Sequence, residues 1–229
     1  ARFMAGAINQ LYDLAEDMLT EKRIGAGAIS TYGTPRRLAL VIDNIAERQD
    51  DLLKEVKGPA KKAAFDAEGN PTKAILGFIK GQGVALEDLE VRTVGNAEYM
   101  YATVKETGKP TISVLPELLT KLVTSLSFPK PMRWGAEEMR FVRPIRWLVA
   151  LYDHNVIELE IAGVRSDRLT YGHRFLSQGP IELARPEEYL EKLEAGFVIA
   201  DQARRRKEIW QQITDLAARE GGQVEEDED

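Results

Sequence analysis

The sequence predicts an α+β fold, in which a mixed or antiparallel sheet is flanked by helices and followed by a helical extension at the C-terminal end. Helical and strand patterns occur in mixed order along the 229 residues, without the regular alternation that a doubly wound sheet requires. Some segments repeat apolar residues every three to four positions, as amphipathic helices do, whereas others alternate or are continuously apolar, as strands are. No repeat of fixed period and no low-complexity run is present in the sequence.

Apolar periodicity marks the helices. The predicted helical segments are about 3–23, Thr72–Ile79, Leu115–Leu126, Pro186–Leu193 and a final segment after Asp201. Thr72 and Asp201 are suitable N-cap residues, because a side-chain oxygen can accept a hydrogen bond from a free backbone N–H group of the first turn. The final helix carries an apolar stripe, which we expect to contact a part of the protein outside this chain. The residues of this stripe are Ile209, Trp210, Ile213 and Leu216.

Alternating and continuously apolar segments mark the strands. They are expected at Ile29–Ala46, Tyr99–Lys105, Arg146–Tyr152, Val156–Val164 and Ser166–Phe175. The first has apolar residues on both faces, which predicts a central strand. Trp147–Tyr152 is also apolar on both faces, so we expect it to be buried in the sheet and to form a hairpin around Asp153-His154-Asn155. Asp50–Ala67 is polar and charged, and is predicted to be a loop or connection.

The domain prediction has two parts. Residues 1–180 form the α+β region, within which 50–126 is a candidate inserted subdomain, and residues 181–229 form a helical segment that leads to further C-terminal domains. The chain begins without methionine inside a helical pattern, and we therefore expect it to be a fragment of a longer polypeptide. Its last nine residues, GGQVEEDED, carry five acids and no cation, and are expected to fray.

Composition excludes several functional classes. The chain has no cysteine, which excludes disulfides, thiolate catalysis and cysteine-ligated zinc. It has no apolar run long enough to cross a membrane and no signal-peptide pattern, so we expect a cytoplasmic protein. The net charge is −6, but without the acidic C-terminal end the chain is close to neutral. The total charge therefore does not exclude an RNA partner.

The most distinctive stretch of the sequence is 127–146, SFPKPMRWGAEEMRFVRPIR. Its cations, which we call the cationic belt, are Lys130, Arg133, Arg140, Arg143 and Arg146. Aromatic residues such as Trp134 lie between them, and prolines stiffen the backbone. Arginines between aromatic rings suit phosphate binding and base stacking. The alternative, which spacing alone favours, is an ordinary loop whose aromatic residues enter the core while its arginines pair with carboxylates such as Glu137 and Glu138.

Two further basic motifs have competing interpretations. Arg36 and Arg37 follow Pro35 near the start of a strand. They are interpreted either as a solvent-exposed charge pair, which we favour, or as an RNA or interdomain contact. The run Arg204–Lys207 lies near a helix start, where cations oppose the helix dipole and so suggest a partner. A solvated face is nevertheless the favoured interpretation of this run, because charge runs are usually solvated.

Tyr171–Phe175 is a short motif in which a histidine and an arginine lie between two aromatic residues. Gly172 permits close approach of the backbone to a partner. His173 and Arg174 can hold a phosphate or a carboxylate. The structural interpretation, in which Gly172 is a bulge and His173 is a satisfied polar group, is equally supported by the sequence.

No catalytic or metal-binding constellation is visible in the sequence. His154 and His173 are the only histidines, and they lack the spacing of metal ligands. His154 lies at a predicted turn and is expected to be solvated. No phosphate-binding glycine loop, no nucleophile elbow and no distinct carboxylate pair is present. We therefore expect no catalytic centre in this chain.

Several separated blocks of the sequence resemble one family. FPKPMRWG and RFVRPIRW lie in the belt stretch, and SDRLTYGHRF spans Ser166–Phe175. TPRRLAL, GPAKKAAFDAEGNPTKAILGF and VIADQARRRK occur at Thr34–Leu40, Gly58–Phe78 and Val198–Lys207. In their order along the chain, the blocks resemble the beta subunit of the bacterial two-subunit glycyl-tRNA synthetase, and the resemblance spans nearly the whole chain.

The resemblance implies a role within an aminoacyl-tRNA ligase. In that family glycine activation with ATP and magnesium belongs to the alpha subunit, and the beta subunit supplies tRNA binding. We therefore expect a hetero-oligomer with the alpha subunit, tRNA as a partner, no membrane, and no cofactor or metal in this chain. Candidate residues for RNA binding or subunit contact are Arg36, Arg37, Lys130, Arg133, Trp134, Arg140, Arg143, Arg146, His173 and Arg174. The alternatives are a tRNA-editing hydrolase and a purely structural assembly module.

Overall fold

The computed structural model describes residues 3–135 and 138–225. The chain divides into two compact units, of which the larger combines Ala1–Glu47 with Pro110–Asp229 and the smaller is Arg48–Lys109. The C-terminal bound of the smaller unit differs from that of the subdomain expected over 50–126. The reason is that the helix after Pro110 packs against the first helix of the larger unit.

The helices other than α2 (Lys61–Ala64) confirm the predictions made from apolar periodicity, and α2 lies in the segment that was expected to be a loop. In the described part of the chain the helices are α1 (Met4–Glu21), α2 (Lys61–Ala64), α3 (Lys73–Gln82), α4 (Thr111–Ser125), α5 (Tyr189–Ala195) and α6 (Gln202–Arg219). Asp201 caps α6 as expected, since its Oδ1 accepts the N–H groups of Ala203 and Arg204 at 2.8 and 3.1 Å. Thr72 precedes α3 but does not cap it with its side chain. Its hydroxyl instead donates to the carbonyl of Ala63 at 2.6 Å.

The strands are short and form several small sheets, which confirms the α+β class. Over the described ranges they are β1 (Ile29–Thr34), β2 (Arg37–Ile42), β3 (Leu52–Ala60), β4 (Leu89–Val94), β5 (Ala97–Glu106), β6 (Met132–Arg133), β7 (Arg140–Phe141), β8 (Leu148–Val149), β9 (Leu151–Tyr152), β10 (Asn155–Val156), β11 (Glu160–Ile161), β12 (Val164–Asp167), β13 (Leu169–Tyr171) and β14 (Pro180–Glu182). All pairs are antiparallel except β8–β12, which is parallel.

The core of the larger unit lies between α1, α4 and the β1–β2 hairpin. The buried side chains of α1 and α4 form one cluster, which includes Leu11, Met18, Val114, Leu118 and Leu122. One side of the hairpin packs on this cluster through Leu38, Leu40 and Ile42. Gly33 packs closely on α1, because a Cβ atom there would lie 2.6 Å from Cδ1 of Ile8 and would require the Ile8 side chain to shift.

The single central strand expected at Ile29–Ala46 is wrong. The segment forms the antiparallel hairpin β1–β2, in which Thr34 is paired with Arg37 and Pro35-Arg36 form the turn. β2 pairs only with β1 among the described strands, so it is an edge strand. The apolar residues on both faces of β2 are therefore not buried between two neighbouring strands, and they are only half-buried.

The continuous buried strand expected at Arg146–Tyr152 is also wrong. Ala150 interrupts it, because β8 pairs with β12 while β9 pairs with β10. Ala150 is buried, but Leu148 and Leu151 are only half-buried. The turn at Asp153-His154 is confirmed. The Ser166–Phe175 strand is likewise split, since β12 pairs with β8 and β13 pairs with β14.

The smaller unit is a three-stranded antiparallel sheet in the order β3–β5–β4, packed against α2 and α3. Ala64, Ile75 and Met100 are its buried core. The loop expected over Asp50–Ala67 is wrong, because Leu52–Ala60 pairs with β5. Its polar composition is compatible with a strand, since one face of a two-layer unit stays in contact with water.

α6 extends from the larger unit with an exposed apolar stripe. The stripe side chains are all classed as exposed, and they are Ile209, Trp210, Ile213 and Leu216. Within residues 3–135 and 138–225, no helix is both long and apolar enough to cross a membrane.

Candidate nucleic-acid interface

The belt stretch forms a small hairpin that its aromatic residues attach to the core. β6 and β7 pair so that Met132 faces Phe141 and Arg133 faces Arg140. The Trp134 Nε1–H group donates to the carbonyl of Phe141 at 2.9 Å, which fixes the indole ring across the hairpin. Phe128 is buried, with its ring centroid 4.7 Å from that of Phe141. Phe128 and Phe141 thus pack at the core, as the loop interpretation expects, and the hairpin holds the half-buried Trp134 in place.

The belt cations, by contrast, do not pair with carboxylates in the described structure. Their side chains are exposed, and no ion pair or hydrogen bond joins any of them to a residue within 3–135 or 138–225; they are Lys130, Arg133, Arg140, Arg143 and Arg146. Glu138 is exposed and makes no ion pair with them. The other carboxylate proposed as a partner, Glu137, lies outside the described residues.

Arg133 and Arg140 are paired directly across the β6–β7 hairpin. Residues directly opposite each other in an antiparallel pair project from the same face, with Cβ atoms about 4.5–5.5 Å apart. Like charges in this position destabilise a sheet. The pair thus concentrates positive charge on one face of the hairpin.

A cleft opens beside the β6–β7 hairpin of the belt stretch. Its volume is about 310 Å³, and the side chains that line it are Trp134, Met139, Phe141, Pro144, Ile145 and Ala162. Ala162 comes from the turn between β11 and β12, where Ala162 and Gly163 have positive φ values of 49° and 70°. The lining is apolar, whereas the exposed belt arginines are immediate neighbours of its residues in the sequence. Sequence reasoning missed this cleft, because Ala162 lies far from the belt along the chain.

Arg36 and Arg37 have different surroundings, although they are adjacent. The half-buried Arg37 donates from Nη2 to the carbonyl of Tyr171 at 2.9 Å, which joins the β1–β2 turn to β13. Burial lowers the pKa of Arg37 from its usual value, and nearby Tyr189 opposes that shift. The exposed Arg36 side chain places its guanidinium carbon 5.8 Å from the ring centroid of Trp147. Arg37 is therefore structural, and Arg36 is accessible.

The Tyr171–Phe175 motif forms a tightly held loop after β13. A Cβ atom on Gly172 would lie 2.5 Å from the carbonyl oxygen of Gly196, so only glycine fits. His173 Nδ1 accepts the N–H groups of Phe175 and Leu176, both at 3.3 Å. Both interpretations hold in part, because the glycine and histidine shape the loop while His173 and Arg174 remain exposed.

The basic run at the start of α6 is not simply a solvated face. Arg204 pairs with Glu194, and it also pairs with Glu208 at 2.7 Å. The hydrogen bond from Arg204 lowers the pKa of the Glu194 carboxyl. Arg205 donates to the carbonyls of Ile199 and Gly33 at 2.7 and 3.0 Å. These arginines attach α6 to the larger unit, a role that the sequence pattern did not indicate.

His154 lies at the β9–β10 turn and is exposed. It is not only solvated, as expected, because Arg185 Nε donates to its Nδ1 at 3.3 Å. Within the described ranges, no group of three or more His, Cys, Asp or Glu side chains is placed to hold a metal ion.

Comparison with known proteins identifies a family. The family described as glycyl-tRNA synthetase beta subunit matches residues 1–229. The chain is 56% identical over 229 residues to the glycine–tRNA ligase beta subunit of Desulforamulus reducens. The alignment covers 100% of this chain and 33% of that protein. The protein of the same name from Moorella thermoacetica is 52% identical over 227 residues, and the alignment covers 99% of this chain and 33% of that protein. The one from Bacillus subtilis is 45% identical over 229 residues, and the alignment covers 100% of this chain and 33% of that protein. The chain thus spans about a third of the length of these curated relatives, and it belongs to the glycyl-tRNA synthetase beta subunit family.

Proposed function

We propose that this chain is part of the beta subunit of a glycine–tRNA ligase, and that its cationic belt binds tRNA during ATP-dependent glycyl-tRNA aminoacylation in the cytoplasm. Family membership and the name of its relatives support the ligase assignment. The observation that carries the RNA-binding role is the position of Arg133 directly opposite Arg140. This pair belongs to a belt whose cations make no ion pair with a described carboxylate.

The physical argument is electrostatic. Two arginines on one face of a hairpin repel each other, and a bound phosphate would convert this repulsion into two charge-assisted hydrogen bonds. Arginine also presents a planar fork of donors that matches phosphate oxygens. Each phosphate contact releases counterions, so RNA binding at the belt weakens as salt rises. An apolar or neutral partner would show no such dependence.

The activation of glycine is assigned to another subunit. ATP and magnesium are proposed to act at the alpha subunit, as the family resemblance implies. The purified 229-residue chain is therefore expected to show no glycine-dependent pyrophosphate exchange. Exchange by this chain without alpha subunit would contradict the assignment. Hydrolysis of misacylated tRNA by the same preparation would instead support an editing role.

A second surface, formed by exposed apolar side chains, is a candidate contact for the alpha subunit. Phe175, Leu176 and Phe197 are 81%, 60% and 61% exposed, which is unusual for large apolar side chains that lie on joined loops. His173 N–H donates to the carbonyl of Gly196 at 2.7 Å, and this bond joins the two loops that carry them. Exposed apolar groups of this kind are typical of protein interfaces. We therefore propose that this loop pair, which we call the apolar loops, binds the alpha subunit.

The test uses full-length beta subunit together with alpha subunit. Arg133→Ala and Arg143→Ala are compared with the control Arg165→Ala, which removes an exposed arginine of β12 that is paired with Glu160 outside the belt. Each belt variant should weaken tRNA binding and reduce the slope of log affinity against log salt by about 0.7–0.9. The control should change neither quantity. Thermal melts and the fraction of beta bound to alpha are measured in parallel.

The outcomes separate the two surfaces. Wild-type affinity and salt slope in both belt variants, with reduced assembly, would show that the belt is a subunit contact and would overturn the RNA role. Phe175→Ser and Phe197→Ser should reduce assembly while the salt slope stays unchanged. Normal assembly in both of these variants would overturn the role of the apolar loops.

A further inference from the structure

The cleft beside the β6–β7 hairpin is lined by apolar side chains. Trp134 and Phe141 supply aromatic walls, and Met139 and Ile145 supply aliphatic ones. The hydrogen bond of 2.9 Å from Trp134 Nε1 to the Phe141 carbonyl holds the two walls in a fixed relation. No charged side chain of the described residues lines the cleft. The cleft is therefore a preformed apolar site.

Two exposed arginines lie next to lining residues of the cleft in the sequence. Arg143 directly precedes Pro144 and Arg146 directly follows Ile145, and Pro144 and Ile145 both line the cleft. Arg133 and Arg140 project from the other face of the β6–β7 hairpin, because successive side chains of a strand point to opposite faces and Phe141 lines the cleft. An occupant with a flat apolar part and negative charges on either side would satisfy both regions.

We infer that the cleft binds a single unpaired nucleobase of the RNA, while Arg143 and Arg146 hold the phosphates that flank it. This inference rests on the proposed RNA-binding role and specifies which part of the RNA is recognised. An unpaired base can leave the stack and insert between aromatic and apolar side chains, whereas a base within a duplex cannot. The volume of about 310 Å³ lies at the lower end of the range for small-molecule sites, as one base requires.

Charge distinguishes this occupant from an apolar side chain of a partner protein. A leucine or phenylalanine would fill the cleft but would leave Arg143 and Arg146 without partners. A nucleotide brings a phosphate on each side of its base, and phosphates suit the guanidinium groups of Arg143 and Arg146. The apolar loops, whose exposed residues are mostly uncharged, are the better surface for a protein.

The experiment compares three synthetic RNA hairpins on the full-length beta subunit assembled with alpha. One hairpin is fully paired, one has a single bulged nucleotide, and one has the same bulge with an abasic residue. The base-containing bulge should bind about 5- to 150-fold more tightly than the abasic bulge, which is the range for stacking one base. Salt slopes of these two RNAs should be equal, since they carry the same phosphates.

A variant that fills the cleft provides the second measurement. Met139→Trp should reduce the affinity for the base-containing bulge to that of the abasic bulge and leave the affinity for the paired hairpin unchanged. Leu53→Trp is the matched control, because it adds the same indole at an exposed position of the smaller unit. If Met139→Trp does not fold, the comparison of the RNAs on wild-type protein still decides the question.

Two different failures are distinguishable. Equal affinity of wild-type protein for the base-containing and abasic bulges, with Arg143→Ala still reducing the salt slope, would overturn the cleft inference and leave the RNA role intact. Absence of any effect of Arg143→Ala on all three RNAs would overturn the proposed function itself. Loss of alpha binding in Met139→Trp, with the base preference retained, would assign the cleft to a protein segment and also overturn the inference.

Discussion

Arg205 of α6 donates a hydrogen bond to the backbone carbonyl of Gly33 in β1, 3.0 Å away, although the two residues are far apart in the sequence. The same half-buried guanidinium donates to the carbonyl of Ile199 at 2.7 Å. Gln202, one turn earlier, accepts the N–H group of Gly33 and donates to the carbonyl of Thr31. The start of α6 is thereby bound to strand β1 of the β1–β2 hairpin.

Arg205→Ala is expected to lower the free energy of unfolding by about 1–3 kcal/mol, because partly buried carbonyl groups lose a charged donor. Arg219→Ala, at the exposed C-terminal end of the same helix, should change it little. Chemical denaturation followed by circular dichroism measures both. Equal stability of the two variants would show that the Arg205 contacts do not hold α6 in place.

Substitution of two glycines in the larger unit should have opposite effects. Gly172→Ala should destabilise the protein by about 1–3 kcal/mol, because the added Cβ would lie 2.5 Å from the carbonyl oxygen of Gly196. Gly6→Ala should stabilise it by about 0.5–1 kcal/mol, since Gly6 lies inside α1 with no atom near the new Cβ. Thermal unfolding compares the two. A stable Gly172→Ala protein would contradict the close contact of the two loops.

Acid should weaken the contacts of Glu188. Its carboxylate accepts the N–H group of Ala184 and pairs with Lys192, both at 2.8 Å, and the Lys192 hydrogen bond is the main cause of its lowered pKa. A carboxyl whose pKa is lower in the folded state stabilises the fold above its unfolded pKa of about 4.3. That stabilisation disappears as the pH falls through the lower folded value.

Glu188→Gln should therefore be less stable than wild type at neutral pH, and the difference should shrink below about pH 4. Urea unfolding at a series of pH values measures the difference. The exposed neighbour Glu187→Gln serves as the control. A difference between wild type and Glu188→Gln that grows on acidification would have the wrong sign for this account.

Burial ranks two leucines of the larger unit. Leu118 of α4 is 3% exposed and contributes to the main core, so Leu118→Ala should cost about 2–5 kcal/mol. Leu151 of β9 is half-buried, and Leu151→Ala should cost less, since part of its surface is already in water. Thermal and chemical unfolding give the comparison. A larger loss at Leu151 would restore the continuous buried strand that the sequence suggested.

Local patterns were sufficient for the helices and insufficient for the sheets. The α1 and α4 stripes depend only on neighbours three and four residues away, and both helices were predicted correctly. Leu52–Ala60 became a strand because β5 pairs with it, from Leu52 with Glu106 to Ala60 with Tyr99, far along the chain. Its own composition indicated a loop. Strand pairing is a long-range property, which explains why β2 was mistaken for a central strand.

The sequence by itself determined the helices, the family and the concentration of cations between residues 127 and 146. Tertiary structure alone decided which arginines are exposed. Arg37 and Arg205 are bound to backbone carbonyls, whereas Arg133 and Arg140 face each other on the surface. It also placed Ala162 beside the belt to complete the cleft. The physical reason is that a side chain's charge is written in the chain, but its desolvation and its partners depend on which distant segments fold against it.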